Sequence, residues 1–158
     1  MQGIPLNERK RLGALLDDRP QTEVMAMIPQ FSQAETDNFV APPAQIPEAL
    51  GVLMFNMERG VNLLEIQEFL RDCPDIQPFD VILANELDDG CARSGNKNTA
   101  RELAQAFGLN YAWGLEFIEL VNDENAKGFH GNAVFSRWPI RRAGVIRLPE
   151  QYNWYFDR

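Results

Sequence analysis

The chain has 158 residues, 45% hydrophobic and 24% charged, a composition that suits one globular domain with a modest core. Its formal net charge of −8 argues against a non-specific grip on a nucleic-acid backbone, which requires Lys and Arg set against phosphates. No apolar run approaches the roughly 20 residues of a membrane-spanning helix, and the opening MQGIPLNERKRLGALLDD lacks the apolar centre of a signal peptide, so a cytoplasmic location is expected.

In chain order, residues 7–18 predict a short helix with Leu12, Leu15 and Leu16 on one side, ended by Pro20. Residues 29–47 hold four prolines among polar residues and read as a linker or surface arm. Residues 1–50 are therefore expected to form an N-terminal helix and proline-rich arm, and residues 51–158 the main domain. GVLMFNME from Gly51 is a continuous apolar run ending in polar residues, as expected of a strand buried on both faces. NLLEIQEFLRDC, 62–73, has apolar residues near helical spacing, and FDVILANE follows as a second buried strand. Strand, helix, strand at this spacing predicts parallel strands joined by a crossover. Both strand C-termini then share one sheet edge, where Asn56 and Glu58 meet Glu86 and ligands collect.

A helix over 98–107 follows, with Ser94 or Asn96 as its cap and Gly108 as its stop. NYAWGLEFIEL and GNAVFSRWPI predict an antiparallel hairpin, in which Trp113 and Phe117 are core residues. AGVIRLP, 143–149, reads as a further strand before the aromatic tail QYNWYFDR. Cys73 and Cys91 fit neither a disulfide framework nor a zinc spacing, and reduced thiols are expected. No glycine-rich phosphate loop follows the first strand, which disfavours a nucleotide-binding doubly wound domain.

Asn56, Glu58 and Glu86 offer only oxygen, and such ligands select Mg²⁺, Mn²⁺ or Ca²⁺ over zinc or copper. Polar residues at strand ends are common, so the residue types alone leave an ordinary solvated edge open. Glu58 can equally pair with Arg59. Asp88 and Asp89, ahead of Gly90, read as a solvated turn outside the site. Arg93 either contacts a substrate phosphate or pairs with one of those aspartates.

The wording "LMFNMERG", "DVILANELDDG" and "HGNAVFSRWPI", in this order, resembles the endonuclease/exonuclease/phosphatase family, divalent-metal phosphohydrolases whose folds include deoxyribonuclease I. The likeness spans about residues 51–140 and is absent before them. It implies an α/β fold, the first half of the family's four-layered sandwich, and Mg²⁺-dependent (or Mn²⁺-dependent) hydrolysis of a phosphodiester or phosphomonoester. It also implies metal binding by Asn56, Glu58 and Glu86. Asn132 would act in catalysis, and Arg137 with the Asn132 amide would contact the phosphate; His130 is either a catalytic group or an ordinary loop histidine, and Arg93 stays open between the phosphate and the aspartates. The family's later Gly-Asp-x-Asn and Ser-Asp-His motifs have no match after Ile140, so a fragment of a longer enzyme is expected. The alternative is a non-catalytic binding domain. Half of a two-sheet fold also leaves an apolar sheet face open to self-association.

Overall fold

Alternation along four strands sorts their side chains onto two faces of one sheet, and the computed structural model, which describes residues 1–149, shows what each face meets. The strands are β1 (Ala34–Asp37), β2 (Val52–Arg59), β3 (Val81–Asp89), β4 (Asn110–Ile118) and β5 (Phe129–Ser136). They form a five-stranded mixed sheet in the order β1-β4-β5-β3-β2. The helices are α1 (Leu6–Leu15), α2 (Gln21–Ala26), α3 (Leu63–Asp72) and α4 (Thr99–Phe107). No helix among the described residues is long and apolar enough to cross a membrane.

The expected parallel pair is present: β2 pairs with β3 from Val52↔Val81 to Asn56↔Asn85, with α3 between them in sequence. The expected hairpin is present as well, since β4 and β5 pair antiparallel from Asn110↔Ser136. β5 then inserts between β4 and β3 and runs antiparallel to both. Residues 29–47 are not simply an arm. β1 forms within them and closes the sheet edge against β4, pairing Ala34↔Gly114 through Asp37↔Tyr111. Apolar side chains of 1–33, including Leu12, Leu16, Val24 and Phe31, are buried in the same cluster as Trp113, Tyr111 and Phe135.

One sheet face carries Met57, Ile82, Ala84, Tyr111, Trp113, Leu115, Ala133 and Phe135 into this core. There α4 buries Ala100, Leu103 and Ala104, and α3 buries Leu63 and Leu70. Phe69 of α3 stacks on Phe55 of β2, with ring centroids 5.7 Å apart. The cap of α4 is neither Ser94 nor Asn96. Asn98 accepts from the Arg101 amide at 2.8 Å, a better placed oxygen because capping needs an acceptor immediately before the first turn. Gly108 takes φ 59° at the other end, the left-handed stop that favours glycine.

The opposite face is open, so β2 and β3 are not buried on both faces as expected, and β2 is an edge strand. Met54↔Leu83, Leu83↔Val134 and Val134↔Ala112 are successive cross-strand partners, so an apolar row crosses four strands. Met54 is 73% exposed, Leu83 38% and Val134 40%. Residues 143–149 do not form the expected strand. They run over the β4 side of this face, where Arg147 donates from Nε to the Phe31 carbonyl (2.8 Å) and from Nη2 to that of Leu115. Packing onto a sheet face rather than along an edge leaves no ladder for them to join. The aromatic tail of the sequence reading lies outside the described residues.

Candidate metal and phosphate site

The site is built from irregularities in three adjoining ladders. Between Asn56↔Asn85 and Arg59↔Leu87, β2 carries Met57 and Glu58 against a single residue of β3, Glu86. Between Ala84↔Ala133 and Leu87↔Gly131, β3 carries Asn85 and Glu86 against Asn132 alone. Between Leu115↔Gly131 and Phe117↔His130, Glu116 is the extra residue of β4. Bulges of this kind bend a strand and re-aim a side chain, and they concentrate beside active sites. Glu58 (φ 46°), Arg59 (φ 67°) and Glu86 (φ 59°) all lie in the left-handed region. Each costs roughly 1–3 kcal/mol, sustained only where surrounding structure over-determines it.

The surrounding bonds do so here. Asn56 donates from Nδ2 to Glu86 Oε1 at 2.9 Å, while its Oδ1 accepts the Glu58 amide at 2.8 Å. The Glu86 amide, displaced from the regular ladder by the bulge, donates to Asn132 Oδ1 at 3.1 Å. Asn132 Nδ2 in turn donates to Glu116 Oε2 at 3.2 Å. The expected convergence of positions 56, 58 and 86 is therefore real. Glu58 and Glu86, with Arg59, Val61 and Asn62, line a concavity of about 370 Å³ at the C-terminal ends of the parallel strands.

Among the described residues, no group of three or more His, Cys, Asp and Glu is arranged to hold a metal ion. The donor set is two carboxylates, which suits a hard cation that keeps several waters. Asn56 turns its amide nitrogen to Glu86 and accepts the Glu58 backbone amide with its oxygen, so it orients the carboxylate.

Three other expected site residues are placed elsewhere. Arg137 follows β5, which runs away from the Glu86 edge, and lies beside the start of β3, where Ser136 pairs with Val81. Five residues of strand, about 17 Å, separate that level from Glu86. Its Nη1 donates to Asp80 Oδ1 at 2.7 Å and its amide to the Asp80 carbonyl at 3.0 Å. His130 is 2% exposed, with Nδ1 at 2.7 Å from Asp88 Oδ1 and its ring 4.3 Å from that of Phe117. It is a core histidine, not a group at the concavity. Arg93 takes the pairing alternative: Nε and Nη2 donate to Asp88 at 2.7 and 2.9 Å, and Nη1 to Glu119.

Asp88 and Asp89 are likewise not a solvated turn. Both are buried, and Asp89 accepts from Lys127 Nζ at 2.7 Å. Burial by itself pushes the Asp88 carboxyl up, but hydrogen bonds from His130 and Arg93, with the guanidinium charge, outweigh it and hold the group below the ordinary carboxylate range. Cys91, buried beside them, donates to the Phe129 carbonyl at 3.3 Å. Burial, then the Asp88 charge, raises its thiol well above the usual value, so it is an inert structural thiol. Both cysteines are free.

Glu116 escaped the sequence reading. Its signal was an acid facing outward between Leu115 and Phe117, at a position that alternation alone assigns to solvent. Compared with family models, curated proteins and solved structures, the chain has no significant match.

Proposed function

We propose that the chain carries the metal-binding portion of a divalent-metal-dependent phosphoric ester hydrolase of the endonuclease/exonuclease/phosphatase type, with the first half of that family's sandwich as its fold. The observation that carries this reading is the Glu86 carboxylate, held by Asn56 at the carboxyl ends of two parallel strands and sharing a concavity with Glu58. Ligands of open α/β sheets gather at this edge. A bound Mg²⁺ or Mn²⁺ supplies polarisation of a phosphoryl oxygen. The chain's own part is to hold Glu86 in one orientation through Asn56, keep Glu58 beside it, and present the Asn132 amide next to the Glu86 backbone. Preorganised groups of this kind lower a barrier because they need not reorganise as charge develops.

The test is thermal unfolding with Mg²⁺ or Mn²⁺ titrated into the wild type and Glu86→Gln, alongside hydrolysis of bis(p-nitrophenyl) phosphate. A saturable rise in midpoint, absent from Glu86→Gln, is expected because a ligand of the native state stabilises it by linkage. No thermal response to either cation, or hydrolysis indifferent to metal, overturns the proposal.

A second reading, a non-catalytic domain that associates through its open sheet face, is favoured by the apolar row Met54, Leu83 and Val134. Its occupant would be a second copy of the chain. Sedimentation of the wild type and Met54→Lys decides it: a concentration-dependent dimer lost in the variant supports the reading, and a monomer at all concentrations removes it.

A further inference from the structure

We propose that Glu116 is a positioning residue for the Glu86 carboxylate, acting through Asn132; this rests on the metal-site reading above. An asparagine amide has two orientations related by a half turn, which exchange its oxygen and nitrogen. Only one serves here. The Glu86 amide is a donor and needs Asn132 Oδ1, which it reaches at 3.1 Å. The flipped amide would set two donors face to face.

The far side of the same amide meets Glu116 Oε2 at 3.2 Å, and an ionised carboxylate only accepts. Glu116 therefore selects the orientation that Glu86 requires. It reaches Asn132 because the β4 bulge makes it the extra residue opposite β5. Gly131 permits the approach of the two strands at this level, since a Cβ there would lie 2.1 Å from the Gly114 carbonyl oxygen and 2.8 Å from the Trp113 ring. The consequence runs from Glu116 through Asn132 to the left-handed backbone of Glu86, and from its side chain to Asn56. Outer partners of this sort orient a ligand without touching the metal.

The experiment compares wild type, Glu116→Gln and Glu116→Ala. Gln keeps an oxygen that can accept from Asn132, whereas Ala removes it. The first readout is metal-free: hydrogen exchange at the Glu86 backbone amide, followed by NMR against Ile82 and Phe135. Glu116→Ala is expected to speed exchange at Glu86 about 10-fold, as loss of one ordered hydrogen bond does, with Ile82 and Phe135 unchanged and Glu116→Gln matching wild type. The second readout is the Mn²⁺ concentration at half-maximal thermal stabilisation, expected to rise about 10-fold in Glu116→Ala and to be unchanged in Glu116→Gln.

Unchanged Glu86 exchange in Glu116→Ala overturns the proposal. So does equal loss of Mn²⁺ response in both variants with Glu86 exchange intact, because Glu116 would then act on the cation by its charge. A wild type that ignores Mn²⁺ overturns the metal-site reading instead, and the exchange comparison still decides the role of Glu116.

Discussion

Replacing Glu86 by glycine separates the backbone strain at this position from its proposed metal binding. Glu86 has φ 59°, where an L-residue is disfavoured by roughly 1–2 kcal/mol relative to right-handed backbone. Glycine removes that cost but adds freedom to the unfolded chain, about 0.4–1 kcal/mol, and deletes the exposed bond from Asn56, about 0.5 kcal/mol. The sum lies near zero. Asn85, one residue earlier on the same strand and exposed, has no positive φ to relieve, so Asn85→Gly should lose about 1 kcal/mol. Urea unfolding of the two variants should therefore find Glu86→Gly the more stable by about 1 kcal/mol, or about 3 °C in midpoint for a chain of this size. In Mn²⁺ at a hundred times its dissociation constant, wild type and Asn85→Gly should both gain about 2.7 kcal/mol. Glu86→Gly should gain nothing. A Glu86→Gly variant less stable than Asn85→Gly refutes the assignment of strain to this position, and a retained metal response refutes its role as ligand.

The buried network around Asp88 gives a second test. Asp88→Asn leaves Arg93 with Glu119 as its remaining carboxylate and His130 without its charged partner, and losing charge-assisted hydrogen bonds of this kind costs about 1.5–3 kcal/mol, measurable by urea unfolding. Because the Asp88 pKa is lowered on folding from 3.8, its contribution is present above that value and lost as pH falls below it. The wild type should thus lose more stability than Asp88→Asn between pH 5 and pH 3, and parallel losses would contradict this. Gly131→Ala should destabilise by about 3 kcal/mol or fail to fold, since its Cβ collides with backbone rather than with a flexible side-chain end; calorimetry showing a near-neutral change would refute the close packing of β4 on β5. Arg137→Ala should leave the Mn²⁺ midpoint within about 2-fold of wild type, because five residues of strand separate it from Glu86; a larger shift would return it to the site.

Much of the frame was legible from residue order. The apolar runs at 51–58 and 79–86, the helix-length spacing between them and the prolines that end that helix together specify two parallel strands, and parallel strands bring their C-termini to one edge whatever surrounds them. This is why the meeting of Asn56 with Glu86 is legible in the sequence. The α4 stop at Gly108 and the β4–β5 hairpin follow from local chemistry in the same way.

Strand order, depth and bulges were decided only by the tertiary structure. Inserting β5 antiparallel to β3 sends each residue after Asn132 farther from the Glu86 edge, and this carries Arg137 to Asp80. Burial turned His130, Asp88 and Arg93 from candidate site residues and a supposed turn into one internal network, because a long-range fold supplies the partners that make buried charge tolerable. The left-handed backbone at Glu86 has no local signature, since glutamate does not favour it; it is held by the side-chain amides of Asn56 and Asn132 from the two neighbouring strands. Alternation along one strand can assign a side chain to a face, but which neighbour it meets there depends on the register of three ladders, and those registers are set by the packing of the whole sheet.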